Sequence, residues 1–145
     1  MLVEVNPETF NVKILRYVIA HDCGTVLNPL ILDGQVHGGV ELGIGNSFFE
    51  KLHVDENGQL QNASFMDYLI PRATDLPKIE VEHLCTPSPL NPLGIKGVGE
   101  AGAIPTPPAF IQAVEDALAE LNLEIREAPL SPNRLFEIVR DAQQA

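Results

Sequence analysis

The sequence predicts an α+β fold: a mixed sheet with hairpins and three helices, one of them glycine-rich, in a single domain spanning residues 1–145. Two observations carry this. Residues 3–5, 12–20 and 79–84 alternate apolar and polar side chains, the period of half-exposed strands. Apolar residues recurring every three or four positions, behind Asn-Pro, Thr-Pro and Ser-Pro entries, mark the helices. With 45% hydrophobic residues the chain has the means to bury a core of its own.

In chain order, Val3-Glu4-Val5 and residues 12–20 flank the turn Asn6-Pro7-Glu8-Thr9, a first hairpin. His21-Asp22-Cys23-Gly24-Thr25 ends it in a polar loop, and Asn28-Pro29 opens a helix expected over residues 29–49. Leu32, Val36, Val40, Ile44 and Phe48 make one apolar stripe along that helix. Five glycines (Gly34, Gly38, Gly39, Gly43, Gly45) interrupt it, each costing about 0.8–1 kcal/mol against Ala. Packing must offset that cost, through another backbone or a flat ligand brought within a side chain's length. Gln35, Gly39, Gly43 and Asn46 share a polar, glycine-floored face.

Residues 49–54 and 60–65 flank Asp55-Glu56-Asn57-Gly58, predicting a second hairpin. Thr106 is expected to cap a helix with Pro107 at its first position and Phe110, Val114, Ala117 and Leu121 buried. A short strand is expected over 123–126. Ser131-Pro132 opens a last helix with Leu135, Ile138 and Val139 inside.

The chemistry concentrates at Gly94-Ile95-Lys96-Gly97-Val98-Gly99-Glu100-Ala101-Gly102. Four glycines leave one carboxylate, Glu100, on a loop with few side chains around it. Such a loop suits backbone and one acid pressed against a ligand. It also contains G-x-G-x-x-G, but a dinucleotide fingerprint needs a strand directly before it. The residues here are Thr86-Pro87-Ser88-Pro89-Leu90-Asn91-Pro92, and three prolines exclude a central strand. A structural glycine turn with a solvent-facing Glu is the plain alternative.

Three stretches fit one pattern together: Asp22-Cys23-Gly24-Thr25-Val26-Leu27-Asn28-Pro29, Gly34-Gln35-Val36-His37-Gly38-Gly39, and Lys96-Gly97-Val98-Gly99-Glu100 with its Pro-Pro-Ala-Phe helix. In order and spacing the chain resembles the xanthine dehydrogenase/aldehyde oxidase family. The likeness is to the C-terminal end of its molybdenum-binding large subunit, particularly the carbon monoxide dehydrogenase large chain branch. The resemblance implies an oxidoreductase using molybdopterin cytosine dinucleotide, with Glu100 as the base that takes the proton of the metal-bound hydroxyl. It implies Gln35, Gly38, Gly39, Lys96, Gly97, Val98 and Gly99 as cofactor-binding residues. No side chain of this segment is expected to ligate the metal. Where the family usually has a cofactor-contacting Gln before Gly43-Ile44-Gly45, this chain has Leu42.

The resemblance also implies partners: the remainder of the large subunit, and iron–sulfur and flavin subunits. The isolated chain is expected to hold no cofactor, to be inactive, and to associate with a partner or itself. The other reading is a docking or structural module that keeps the fold without the cofactor.

Nine basic against 20 acidic residues, a net charge of −11, argue against nucleic acid or an anionic membrane as partner. No apolar run approaches about 18 residues and no signal-peptide pattern opens the chain, so a cytoplasmic location with free thiols is expected. Cys23 and Cys85 are expected to be buried small hydrophobes. His21, His37, His53 and His83 lack the paired spacing of zinc ligands, so structural zinc is not expected.

Overall fold

A computed structural model describes residues 1–144. The first hairpin forms as its alternation predicts, from β1 (Leu2–Val5) and β2 (Val12–Asp22), paired antiparallel. The Asn6 side-chain oxygen accepts the N–H groups of Glu8 and Thr9 at 2.9 and 3.0 Å, which closes the turn. β2 runs on to Asp22 because β3 (Ile79–Leu84) pairs parallel along it, from Tyr17↔Ile79 to Asp22↔Leu84. The sheet order is β1-β2-β3, with β2 in the centre.

Helix α1 (Pro29–Ile44) begins where Asn28 accepts the Ile31 N–H at 3.2 Å, with proline at the first helical position. Its stripe of Leu32, Val36, Val40 and Ile44 is buried; Val36, Val40 and Ile44 pack with Tyr17 and Ile19 of β2 in one core. The helix does not stay regular to Phe49. Residues Gly45–Phe49 form a π-helical turn, in which the Ser47 hydroxyl donates back to the Gly43 carbonyl at 2.5 Å. A second core joins Phe110 and Val114 of α2 (Thr106–Ala117) to Leu135 and Val139 of α3 (Pro132–Gln144), with Ile125 and Leu130 between them.

Five expectations are corrected. The second hairpin reduces to one bridge, Val54↔Leu60. Its turn forms, with the Asp55 carboxylate accepting from Asn57 and Gln59 at 2.9 Å each, but Leu52 and Val54 are exposed and have no layer to pack on. Residues 123–126 find no strand partner among the described residues. Ile125 is instead buried, its N–H donating to Glu115 at 2.6 Å. Thr106 is not a cap but the first helical residue, and α2 ends at Ala117, which is exposed. Cys23 is buried as expected, whereas Cys85 is exposed because it follows the last paired residue of β3.

No helix among the described residues is long and apolar enough to cross a membrane.

Candidate functional site

The three stretches that resemble one family are far apart in the chain, and the fold brings them to one place. Gly24 and Ile95 form an antiparallel bridge, with Thr25 N–H donating to Gly94 O at 3.0 Å and Lys96 N–H to Cys23 O at 2.8 Å. Gly24 has φ 70°, and a Cβ there would strike the Gly94 carbonyl oxygen, so only glycine suits this crossing.

Asp22 ties the crossing together. Its Oδ1 accepts the N–H groups of Gly24 at 2.8 Å and Thr86 at 3.1 Å, and Lys96 Nζ lies 3.1 Å from Oδ2. Hydrogen bonds from Thr86 and Gly24, with Lys96 adding to them, hold this carboxyl far below the ordinary carboxylate range. The Lys96 ammonium is therefore engaged within the chain.

The glycine loop then lies on α1. A Cβ on Gly102 would strike the Val36 carbonyl oxygen and come within 2.8 Å of Val40 N; one on Gly39 would meet Gly102 Cα and Ala103 N at 3.0 Å. Backbone thus touches backbone. From beneath, buried Thr106 donates to the Gly102 carbonyl at 2.7 Å and accepts from the Tyr17 hydroxyl at 2.7 Å, because a carbonyl can only accept. Burial pushes the Tyr17 hydroxyl's pKa up. From above, Gln35 Nε2 donates to Gly99 O at 2.7 Å.

What remains is an open face. Glu100 is exposed, and its carboxylate makes no hydrogen bond or ion pair among the described residues. The N–H groups of Gly97, Val98, Gly99 and Glu100 likewise find no acceptor among the described residues. A Cβ on Gly38, Gly97 or Gly99 would meet nothing within 4 Å. These glycines serve no packing inside this chain, unlike Gly39 and Gly102, so the space beside them suits an outside body that comes close. Beside the loop opens a cleft of about 410 Å³, lined by Val26, Leu27, Ile31, Gln35, Val98 and Gly99 among others. Leu42 stands exposed on α1 and offers no hydrogen bond.

Sequence reasoning missed the anchoring roles of Tyr17 and Thr106, which need the tertiary neighbours. It also missed a cluster on the parallel pair: His83 sits opposite His21 with Nδ1 to Nε2 at 2.9 Å, and its Nε2 lies 2.6 Å from Asp33 of α1. Among the described residues no group of His, Cys, Asp or Glu is arranged to hold a metal ion.

Burial, and then the neighbouring His83, lower the His21 pKa from 6.5, against the opposing pull of Asp22 and Asp33. A lowered histidine pKa means that the unfolded chain takes up a proton the folded one refuses. Stability is therefore expected to be full above about pH 6.5 and to fall as pH drops through that value. Urea unfolding at pH 7.5 and 5.5 should show this loss in the wild type and less of it in His21→Gln. Equal losses in the two proteins would remove His21 from the account.

Residues 1–77 match the molybdopterin cofactor-binding domain family. The chain is 40% identical over 140 residues to the nicotine 6-hydroxylase large subunit of Paenarthrobacter nicotinovorans, covering 97% of this chain and 17% of that protein. It is 38% identical over 137 residues to the carbon monoxide dehydrogenase large chain of Afipia carboxidovorans, covering 94% of this chain and 17% of that one. Quinoline 2-oxidoreductase from Pseudomonas putida 86 superposes with a TM-score of 0.91 at 42% identity, over 96% of this chain and 18% of that chain. The chain thus spans about a sixth of the length of these relatives.

Proposed function

Given that the chain belongs to the molybdopterin cofactor-binding domain family, we propose that it forms, as one domain, the C-terminal part of the molybdenum-binding subunit of a molybdenum hydroxylase. In this reading it supplies Glu100 as catalytic base and one wall of the cofactor pocket. The single observation that carries this is the open face of the glycine loop. One carboxylate and four consecutive N–H groups, unpartnered among the described residues, stand over glycines that the chain's own packing does not need.

The residues present fit such a group, since they offer amide donors, room and one base. When bound, molybdopterin (as its cytosine dinucleotide in this proposal) supplies the redox-active metal and the oxygen nucleophile. Glu100 takes up a proton at its carboxylate, which needs a base held within hydrogen-bond reach. The N–H groups of Gly97, Val98 and Gly99 would serve as hydrogen-bond donors to the cofactor. Gly38 would let it approach α1, whereas Gly39 is already covered by the backbone of Gly102 and Ala103. Lys96, held by Asp22, fixes the start of the loop. Exposed Leu27, Leu30 and Ile31 are covered by the remainder of the large subunit. The large-subunit and large-chain names of the relatives support companion subunits, which in this proposal carry iron–sulfur and flavin groups.

Elemental analysis tests this. Purified alone, the chain is expected to hold no stoichiometric molybdenum, because most of the pocket lies in segments it does not contain. In an assembly with those segments, stoichiometric molybdenum is expected. A metal-free, inactive assembly would favour a docking module instead. Gly38→Ala sharpens the test. It should stabilise the isolated chain by about 0.8–1 kcal/mol through helix propensity, since nothing stands near its Cβ. In the assembly it should lower molybdenum retention. Unchanged retention would show that nothing approaches α1 at this point.

A further inference from the structure

The loop that carries Glu100 is fixed at both ends. Lys96 N–H is bonded to Cys23 O at 2.8 Å, and Gly102 is lodged against the backbone of α1. Between these ends Val98 leans on the α1 core, and Ala101 N–H closes a turn on Val98 O at 3.1 Å. Only one side chain from outside the loop hydrogen-bonds to its middle among the described residues: Gln35 Nε2, donating to Gly99 O at 2.7 Å.

That carbonyl belongs to the peptide unit joining Gly99 to Glu100. Gly99 places almost no steric limit on the rotation of this unit, having no side chain and no neighbour within 4 Å of where a Cβ would lie. A planar trans peptide has its C=O and N–H pointing opposite ways. Holding the Gly99 oxygen toward Gln35 on α1 therefore turns the Glu100 N–H away from the helix, and it sets the backbone from which the Glu100 carboxylate projects. The orientation of the Gln35 amide is not ambiguous, because its partner can only accept.

We propose that Gln35 is a positioning residue for Glu100: its amide clamps the Gly99–Glu100 peptide and so aims both the carboxylate and the adjoining N–H into the open face. This differs from a direct cofactor contact, and it rests on the reading of Glu100 as the base. Productive geometry is sensitive at this scale, since displacing a catalytic group by about 1 Å can cost roughly a hundredfold.

The test uses Gln35→Met, which keeps the length without a donor, Gln35→Glu, which also lacks the N–H donor, and Gln35→Lys, which restores one. Each is made in the assembled protein and read by amide hydrogen exchange at Ala101, the loop amide bonded within the chain across the clamped peptide, by molybdenum content, and by kcat and KM. Met and Glu should speed exchange in the loop about five- to tenfold while the rest of α1 is unchanged. They should lower kcat about ten- to a hundredfold with molybdenum retained and KM within roughly twofold. Lys should recover most of the protection. Wild-type exchange in Gln35→Met would overturn the proposal. So would normal exchange with molybdenum lost, which is the signature of a cofactor contact. If Glu100→Gln were itself fully active, the base reading would fall, while the exchange data would still decide the clamp.

Discussion

Glu100→Gln in the assembled enzyme is expected to keep its molybdenum and lose turnover by about 10²–10⁴-fold, the usual cost of removing a positioned general base. Gln is close to isosteric, and the Glu100 side chain makes no hydrogen bond or ion pair among the described residues that the change would break. The loop should fold unchanged, since its turn is made by the Glu100 carbonyl accepting from Ala103 and Ile104 at 3.1 Å each. An amide does not take up a proton at working pH, so the deficit should fall on the chemical step. Glu100→Asp keeps the basicity but draws the carboxylate back by one methylene, which should also be costly. Single-turnover kinetics with molybdenum analysis on the same preparation would decide. Turnover within a factor of about two of wild type, with metal retained, would leave Glu100 as the exposed acid of a structural turn.

Gly102→Ala is expected to be strongly destabilising. The added carbon meets the Val36 carbonyl oxygen and Val40 N, both fixed in the hydrogen-bonded backbone of α1, so no flexible side chain can swing aside. Overpacking of this kind costs about 1–3 kcal/mol, and backbone on both sides puts this case at the upper end. For a chain of this length that corresponds to a fall of roughly 6–12 °C in melting temperature. The strain can be relieved only by lifting the loop from α1, which would stretch the Gln35–Gly99 bond and move Glu100 with it. Gly97→Ala, with open space around it, is the matched control. Calorimetry showing the two variants equally stable would contradict the close approach of loop and helix.

The local pattern of the sequence was sufficient where an element's partners lie inside this chain. Val3 and Val5, with the alternation after Val12, gave the hairpin, and Leu32, Val36, Val40 and Ile44 gave the buried side of α1. The parallel partner of β2 was not legible, because alternation marks a strand without saying which strand lies beside it. For the same reason His21 and His83 could not be paired in advance. The arms around Asn57-Gly58 have the alternation of strands but no layer beneath them, so the turn chemistry was right and the ladder did not form. Thr106 reads as a cap on local grounds, and only the arrival of Tyr17 and the Gly102 carbonyl gives its hydroxyl other work.

At the site, the motif residues were identifiable one stretch at a time. The helix glycines divide into two kinds that no sequence pattern distinguishes: Gly39 and Gly43 meet the chain's own atoms, while Gly34 and Gly38 meet none.

The bonds that place Glu100 also bear on how the chain reaches its native state. Gln35 and Gly99 are 64 residues apart, as are Asp22 and Thr86, and Tyr17 and Thr106 are 89 apart. Closing such long loops has an entropic cost that must be met before the contacts stabilise anything, so pairings of this kind form slowly and late. During synthesis the first hairpin and α1 emerge well before the glycine loop that covers them. A nascent chain stalled ahead of Gly99 would display the bare side of α1 to chaperones, and the carboxylate would come into position only once the glycine loop has been made.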